Sequence, residues 1–184
     1  CEGQSLDMEF ENKENISLNE YINMIQLKTS VLVACGLKIG ALVGEAGPKD
    51  ANLLYDFGLN LGTAFQIHDD ILDVYPLKEE FGKQVGGDIL EKKKTILLIE
   101  LLKKSSKEDK VSIIQVLEDD EIDKNLKIKK IKNFYNKYGV LELAEHTKNQ
   151  YFEKAIYCVN NINLSEDKKQ QIKAFAVALM SREI

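Results

Sequence analysis

Three aspartates at the end of an apolar segment are the residues of this sequence best suited to chemistry. Asp69, Asp70 and Asp73 lie within the sequence FQIHDDILD at 65–73. On an α-helix, Asp69 and Asp73 are about 40° apart and Asp70 and Asp73 about 60° apart, so the three carboxylates project from one sector. The dipole at this helix end is negative, and the like charges repel each other. Hard oxygen ligands in this arrangement favour Mg²⁺, which keeps part of its water shell and shares phosphate oxygens.

A solvated acidic helix end is the alternative interpretation of the three aspartates. Their neighbours argue against it, because Phe65, Ile67, Ile71 and Leu72 are apolar. Apolar residues on several sides place the aspartates on a core helix rather than on a surface helix. The pattern therefore favours a metal site.

Lysines follow the aspartates closely. Lys83 lies in a glycine-rich loop at 77–88, and three further lysines at 92–94 come directly after the sequence GGDILE. A lysine run alone is common at a solvated helix start. Carboxylates for a divalent cation followed by lysines on a loop provide what a diphosphate needs, namely metal on one side and ammonium groups on the other.

The elements that carry these residues are predicted to be long helices. Ser17 and Glu20 form a capping box that starts a helix over 18–45. A second helix over 49–75 follows a Gly-Pro pair, is apolar on more than one face and ends at Pro76. We expect further helices at 95–104, 109–118, 123–138, 140–160 and 165–181. The predicted fold class is all-α, a helical bundle.

Glycines recur at four-residue spacing within the two long helices. Gly36, Gly40 and Gly44 share one face of the first, and Gly58 and Gly62 share one face of the second. Close helix packing explains such a face, and so does room for a long apolar ligand inside the bundle. The spacing leaves both interpretations open.

Composition narrows the class of protein further. The 184 residues carry a net charge of −5, which disfavours nucleic acid as a partner. Three scattered cysteines argue against a disulfide framework or a zinc site and favour a cytoplasmic protein. The start of the sequence shows no signal peptide, and the most apolar stretch, 31–43, is too short for a bilayer and contains Lys38, so we expect no transmembrane segment.

Four motifs in order give the sequence a family resemblance. FQIHDDILD and the following GKQVGGDILEKKKT resemble the second aspartate-rich region of trans-isoprenyl diphosphate synthases, the polyprenyl synthetases. GQSLD at 3–7 is similar to the family's GQxxD segment, and Lys28-Thr29 is similar to its Lys-Thr segment. The resemblance implies the helical bundle of the isoprenoid synthase type. It also implies a prenyltransferase, and a homodimer, that joins an allylic diphosphate to isopentenyl diphosphate through Mg²⁺-assisted ionisation.

The same resemblance implies roles for individual residues. It assigns Mg²⁺ to Asp69, Asp70 and Asp73. It assigns the allylic diphosphate to Lys28, Lys83 and Lys93, with Lys92 and Lys94 as alternatives one residue away from Lys93. It places Thr29 and Gln66 beside the allylic cation, and Gln4 and Phe65 near the substrates.

One part of the family pattern is not in the sequence. The family's first aspartate-rich motif precedes GQxxD, whereas residues 1–184 open at GQxxD. The resemblance therefore implies the C-terminal part of a single all-α domain that lacks its N-terminal helices, and we expect this chain alone to be inactive. A non-catalytic subunit of a heteromeric prenyl synthase is an alternative. A terpene cyclase with the same helical fold is another, although the GGD loop and the Lys-Thr pair fit it poorly.

Overall fold

The computed structural model describes residues 1–13, 15–76 and 85–181. Within these ranges the regular elements are all helical and there is no strand. The α-helices are α1 (Glu2–Glu11), α2 (Leu18–Ile25), α3 (Val31–Val43), α4 (Pro48–Val74), α5 (Gly87–Leu90), α6 (Ile96–Lys104), α7 (Lys107–Glu118), α8 (Lys124–Tyr138), α9 (Val140–Asn161) and α10 (Glu166–Met180). The predicted all-α class is confirmed.

The first predicted long helix is confirmed, with one irregularity. Its capping box is formed, because the Ser17 hydroxyl accepts from the Glu20 N–H at 3.2 Å and the Glu20 carboxylate accepts from the Ser17 N–H at 2.8 Å. Between α2 and α3 the helix widens into a π-helical turn, Gln26–Ser30, which we call the π-segment. A π-turn inserts one residue into a helix and changes which side chains face its neighbours.

The second predicted helix, α4, lies at the centre of the bundle. It starts at Pro48, as the Gly-Pro pair predicts, and packs along α3 on one side and α9 on another. It also contacts the π-segment and α6, so most of its C-terminal half is buried. A central position explains why α4 is apolar on several faces.

Two glycines of α4 allow close contact with the neighbouring helix. A Cβ atom on Gly62 would lie 2.9 Å from the Ser30 hydroxyl, and one on Gly58 would lie 2.8 Å from the Ala34 Cα. Neither position has room for a side chain, so close packing is confirmed for this pair. The glycines of α3 differ, because a Cβ on Gly36 or Gly40 would meet no atom of the described residues within 4 Å.

The buried apolar residues form two clusters. The larger one joins α1, α2 and the C-terminal half of α4 to α6, α7, α8 and the start of α9. The smaller one joins the N-terminal half of α4 to the C-terminal half of α9 and to α10. The predicted chemistry-bearing aspartates lie on the part of α4 that belongs to the larger cluster.

Two elements differ from the sequence-based expectation. Helix α1 was not predicted, and the region expected to be loop up to Asp88 contains the short helix α5, Gly87–Leu90. The rest of that expected loop, at 77–84, lies outside the described residues, and Lys83 lies with it.

One helix in the described part of the chain, Leu18–Val43, is long and apolar enough to cross a membrane by length and composition. This is weak evidence, because core helices of soluble proteins and signal sequences pass the same test. Part of the helix is uncovered here, since Leu32 and Val43 of α3 are each 80% exposed. The expectation of no transmembrane segment stays a prediction.

Candidate active site

Asp70 is the most enclosed of the three aspartates. Its Oδ2 atom accepts a hydrogen bond from the Tyr21 hydroxyl at 2.7 Å and one from the Ile96 N–H, at the start of α6, at 3.3 Å. Burial raises the pKa of this carboxyl to about 7, and the nearby negative charge of Asp88 acts in the same direction. The two hydrogen bonds and Lys93 oppose that shift.

Asp73 holds the GGD turn against the end of α4. Its Oδ2 atom accepts from the Asp88 N–H at 3.0 Å, and its backbone carbonyl accepts from the Gly86 N–H at 2.7 Å. Gly86 has a φ of +81°, a conformation that favours glycine. Burial, followed by the charge of Asp88, raises the pKa of Asp73. The turn thus brings a fourth carboxylate, Asp88, to the acidic group, and the signal for it in the sequence is the GGD motif itself.

The adjacent lysines Lys92 and Lys93 have different ion-pair partners. The Lys92 Nζ atom lies 3.1 Å from Glu118 Oε2 and 3.5 Å from Asp120 Oδ1, whereas the Lys93 Nζ atom lies 3.0 Å from Asp88 Oδ1. Lys92 has a φ of +56°, and this left-handed residue turns the chain at that point. Burial lowers the pKa of Lys93, but the hydrogen bond and charge of Asp88 outweigh it, and the pKa is raised on balance.

The π-segment carries Lys28 and Thr29. Lys28 forms an ion pair with Asp7 of α1, and Thr29 is half-buried. Helix α1 lies directly on this turn, because a Cβ on Gly3 would come within 2.1 Å of the Lys28 backbone nitrogen. The GQxxD and Lys-Thr motifs therefore form one unit in space, in which the glycine permits contact and Asp7 binds the lysine.

A pocket lies between α1, α2, the π-segment, α4 and the turn before α6. Its wall includes Tyr21, Met24, Ile25 and Thr95. Its charged and amide-bearing lining residues are Asp7, Lys28, Gln66, Asp70, Lys93 and Lys94. Residues from α1, α2, the π-segment, α4 and the turn before α6 thus face one space, with both signs of charge present.

The structure does not bring every predicted residue to this pocket. Lys28, Gln66, Asp70, Lys93 and its alternative Lys94 line it, whereas Lys92 does not. The remaining predicted residues in the described part of the chain do not line it either; Asp69, Asp73, Thr29 and Phe65 are half-buried and Gln4 is exposed. Sequence analysis did not assign Asp7, Tyr21 or Asp88 to the site.

Comparisons with known proteins identify the family. A family model described as polyprenyl synthetase matches residues 1–136. The chain is 41% identical, over 78% of its length and 43% of the relative's, to the short chain isoprenyl diphosphate synthase of Methanothermobacter thermautotrophicus. It is 38% identical, over 90% of its length and 50% of the relative's, to the geranylgeranyl diphosphate synthase of Sulfolobus acidocaldarius.

Solved structures agree with these matches. A crystal structure of geranylgeranyl pyrophosphate synthase is similar over 100% of this chain and 57% of that chain, with 35% identity and a TM-score of 0.90. A polyprenyl synthase from Caulobacter crescentus, complexed with calcium and isoprenyl diphosphate, is similar over 100% of this chain and 55% of that one, with 26% identity and a TM-score of 0.86.

The chain belongs to the polyprenyl synthetase family, and its all-α fold is that of a solved geranylgeranyl pyrophosphate synthase. This confirms the resemblance seen in the sequence. The chain spans about half the length of the curated relatives it matches.

Enzymes of this family generally use a divalent metal ion, and the donor chemistry here fits one. Burial, followed by the charge of Asp88, raises the pKa values of Asp70 and Asp73, so a nearby cation would stabilise their charged forms. Within the described ranges, no three His, Cys, Asp or Glu residues lie close enough together to hold a metal on their own. A cation here would need further oxygen ligands from water or phosphate, which is how Mg²⁺ is commonly bound.

Proposed function

We propose that the natural protein carrying this chain is a prenyltransferase that joins an allylic diphosphate to isopentenyl diphosphate. The observation that carries the proposal is the pocket that Lys28 and Lys93 line together with Asp70, in a chain of the polyprenyl synthetase family. Relatives that are named for isoprenyl and geranylgeranyl diphosphate synthesis support it.

The metal in this proposal is Mg²⁺, which Asp69, Asp70 and Asp73 would hold only together with water and diphosphate oxygens, with Asp88 beside them. Carboxylates are the ligands this ion prefers, and water and diphosphate oxygens complete its shell. When bound, the ion acts as a Lewis acid that stabilises the negative charge of the departing diphosphate. The Caulobacter crescentus relative complexed with calcium and isoprenyl diphosphate supports a divalent ion in this fold.

The lysines bind the allylic diphosphate in this mechanism. Among the described residues, Lys28 forms an ion pair with Asp7 and Lys93 forms one with Asp88, so each ammonium group retains further N–H donors for phosphate oxygens. Lys94 lines the same pocket. Lys83, outside the described residues, is proposed as a third contact. Fixed positive charge placed where negative charge develops lowers the barrier to C–O cleavage.

Two polar residues are proposed to lie beside the allylic cation. Gln66 lines the pocket one turn before Asp70, and Thr29 follows Lys28 in the π-segment. Their oxygen atoms can face developing positive charge without forming a bond to it. Gln4 and Phe65 are proposed to lie near the substrates.

Residues 1–184 are proposed to be part of one all-α domain, and the natural protein is proposed to be a homodimer. The support for an interface is the uncovered apolar surface of α3, where Leu32, Ile39 and Val43 are all exposed. Sedimentation of the natural protein should give two copies, and Leu32→Glu should shift it towards one copy. Val177→Glu, on α10, is the matched control. A monomer at all concentrations would contradict the dimer.

A condensation assay tests the proposed activity. The natural protein is incubated with Mg²⁺, labelled isopentenyl diphosphate and allylic diphosphates of several lengths, and we expect a chain-extended product. Removing the Asp73 charge with Asp73→Asn should lower kcat by about 10²–10³-fold, the usual cost of losing one such contact. Asp109→Asn is the control, because Asp109 binds Lys137 and Tyr138 on α8 and does not line the pocket.

Two results would overturn the proposal. One is a folded natural protein that makes no product with any allylic diphosphate. The other is full activity in Asp73→Asn. If the inactive protein instead raises the activity of another synthase subunit, the chain is a non-catalytic partner.

A further inference from the structure

Tyr21 is a buried residue that the proposed reaction does not yet use. It lies on α2 and is 1% exposed, with its hydroxyl group 2.7 Å from Asp70 Oδ2. Tyr21 and Asp70 are 49 residues apart in sequence and both line the pocket. A buried tyrosine hydroxyl needs a hydrogen-bond partner, and here the partner is a carboxylate of the acidic group.

A second donor reaches the same oxygen atom. The Ile96 N–H, in the first turn of α6, points at Asp70 Oδ2 from 3.3 Å. The first N–H groups of a helix have no partner within the helix, so this one is free to bind a carboxylate. In the described ranges, no hydrogen bond from the protein reaches Asp70 Oδ1. One oxygen of Asp70 is therefore fixed by α2 and α6, and the other is not.

We infer that Tyr21 is a positioning residue, which fixes Asp70 Oδ2 so that Oδ1 is the oxygen presented to a metal–diphosphate ligand. The inference rests on the proposed function. Its physical basis is that a carboxylate held at one oxygen cannot rotate freely about its terminal bond, so the direction of its second oxygen is set. A residue that hydrogen-bonds a metal ligand in this way typically changes metal affinity or activity by about 10–100-fold when it is lost.

The variant Tyr21→Phe removes only the hydroxyl group and keeps the buried ring. The chain offers a matched control, since Tyr138 donates from its hydroxyl to Asp109 Oδ2 at 2.6 Å and does not line the pocket. Both variants lose one tyrosine–aspartate hydrogen bond. We expect Tyr21→Phe, and not Tyr138→Phe, to change how binding depends on the metal.

The measurement is calorimetric binding of inorganic pyrophosphate to the natural protein over a series of Mg²⁺ concentrations. In Tyr21→Phe the Mg²⁺ concentration that gives half-maximal pyrophosphate binding should rise about 10-fold or more. Saturating Mg²⁺ should restore much of the binding, which a general loss of structure would not allow. An unchanged Mg²⁺ dependence in folded Tyr21→Phe, or an equal change in Tyr138→Phe, would overturn the inference.

A structure of the wild-type protein with Mg²⁺ and pyrophosphate provides the second test, which applies even where the variant does not fold. We expect the Tyr21–Asp70 hydrogen bond to remain, with the ligand on the side of Oδ1. Asp70 turned away from Tyr21 would overturn the inference. If the wild-type protein is active in condensation and Tyr21→Phe binds pyrophosphate with the wild-type Mg²⁺ dependence, only this inference is contradicted. If the wild-type protein is inactive, the proposed function is contradicted.

Discussion

Asp70 and Asp73 have the same side chain three residues apart, yet they lie in different surroundings. Asp70 is enclosed by Tyr21 and the start of α6, while Asp73 is half-buried and accepts from the Asp88 N–H. Helical spacing predicts that the two side chains share one sector of α4. It does not predict their donors, because these come from residues 15 to 49 positions away in sequence.

Lys92 and Lys93 show the same limit of sequence analysis. Their position after GGD predicts that one lysine contacts phosphate, but it does not decide which of the adjacent lysines this is. The left-handed backbone at Lys92 sends its side chain to Glu118 and leaves Lys93 beside Asp88. A single positive φ at a lysine has no signature in the sequence, since glycine and asparagine are the residues that favour it.

This difference predicts unequal effects of two adjacent substitutions. Lys93→Ala should weaken binding of inorganic pyrophosphate in the presence of Mg²⁺ by about 10–100-fold, because a charge-assisted hydrogen bond contributes about 1.5–3 kcal/mol. Lys92→Ala should leave binding within about 2-fold, because it loses only exposed ion pairs worth about 0–1 kcal/mol to stability. Calorimetric titration of both variants measures the effect, and equal losses would contradict the assignment of Lys93.

Among the elements, the two long helices were predicted well and the π-segment was not. Their hydrophobic patterns, the capping box at Ser17 and the Gly-Pro pair before α4 are local signals that remain readable in one sequence. The π-turn lies against Gly3 of α1, a helix that was itself not predicted. Helix α1 has a weakly amphipathic sequence with many polar residues, and its contacts with the rest of the fold include this one, the buried Phe10 and the Asp7–Lys28 ion pair.

The glycines at four-residue spacing in α3 and α4 have different surroundings. Gly58 and Gly62 admit the neighbouring helix, whereas Gly36 and Gly40 face open space. Spacing alone could not distinguish them, because both sets lie on one helix face. What distinguishes them is which helix packs there.

We therefore predict opposite effects on the stability of residues 1–184. Gly62→Ala should lower the free energy of unfolding by about 1–3 kcal/mol, because the added methyl group overpacks against Ser30. In a monomeric sample Gly36→Ala should raise it by about 0.5–1 kcal/mol, because alanine favours the helix and its methyl group meets no atom of the described residues. Urea unfolding of the two variants tests this, and a destabilising Gly36→Ala would show that the face is covered.

For the whole molecule, the sequence predicts the all-α bundle, its central helix and its family. The sequence does not predict that α1, α2, the π-segment, α4 and the turn before α6 meet around one pocket. That assembly depends on contacts between segments far apart in the chain, such as Lys28 with Asp7 and Tyr21 with Asp70. The pocket concentrates lysines beside carboxylates in a chain whose net charge is −5, so the attraction that we propose for a metal–diphosphate ligand is local rather than a property of the overall charge.

The central claim is that this pocket holds a magnesium–diphosphate ester between the lysines and the end of α4. The most direct test is a crystal structure of the natural protein with Mg²⁺ and a non-reactive allylic diphosphate analogue. We predict the diphosphate within hydrogen-bond distance of Lys28 and Lys93, with metal between it and the aspartates of α4. A diphosphate bound elsewhere, with this pocket empty at saturating ligand, would contradict the account.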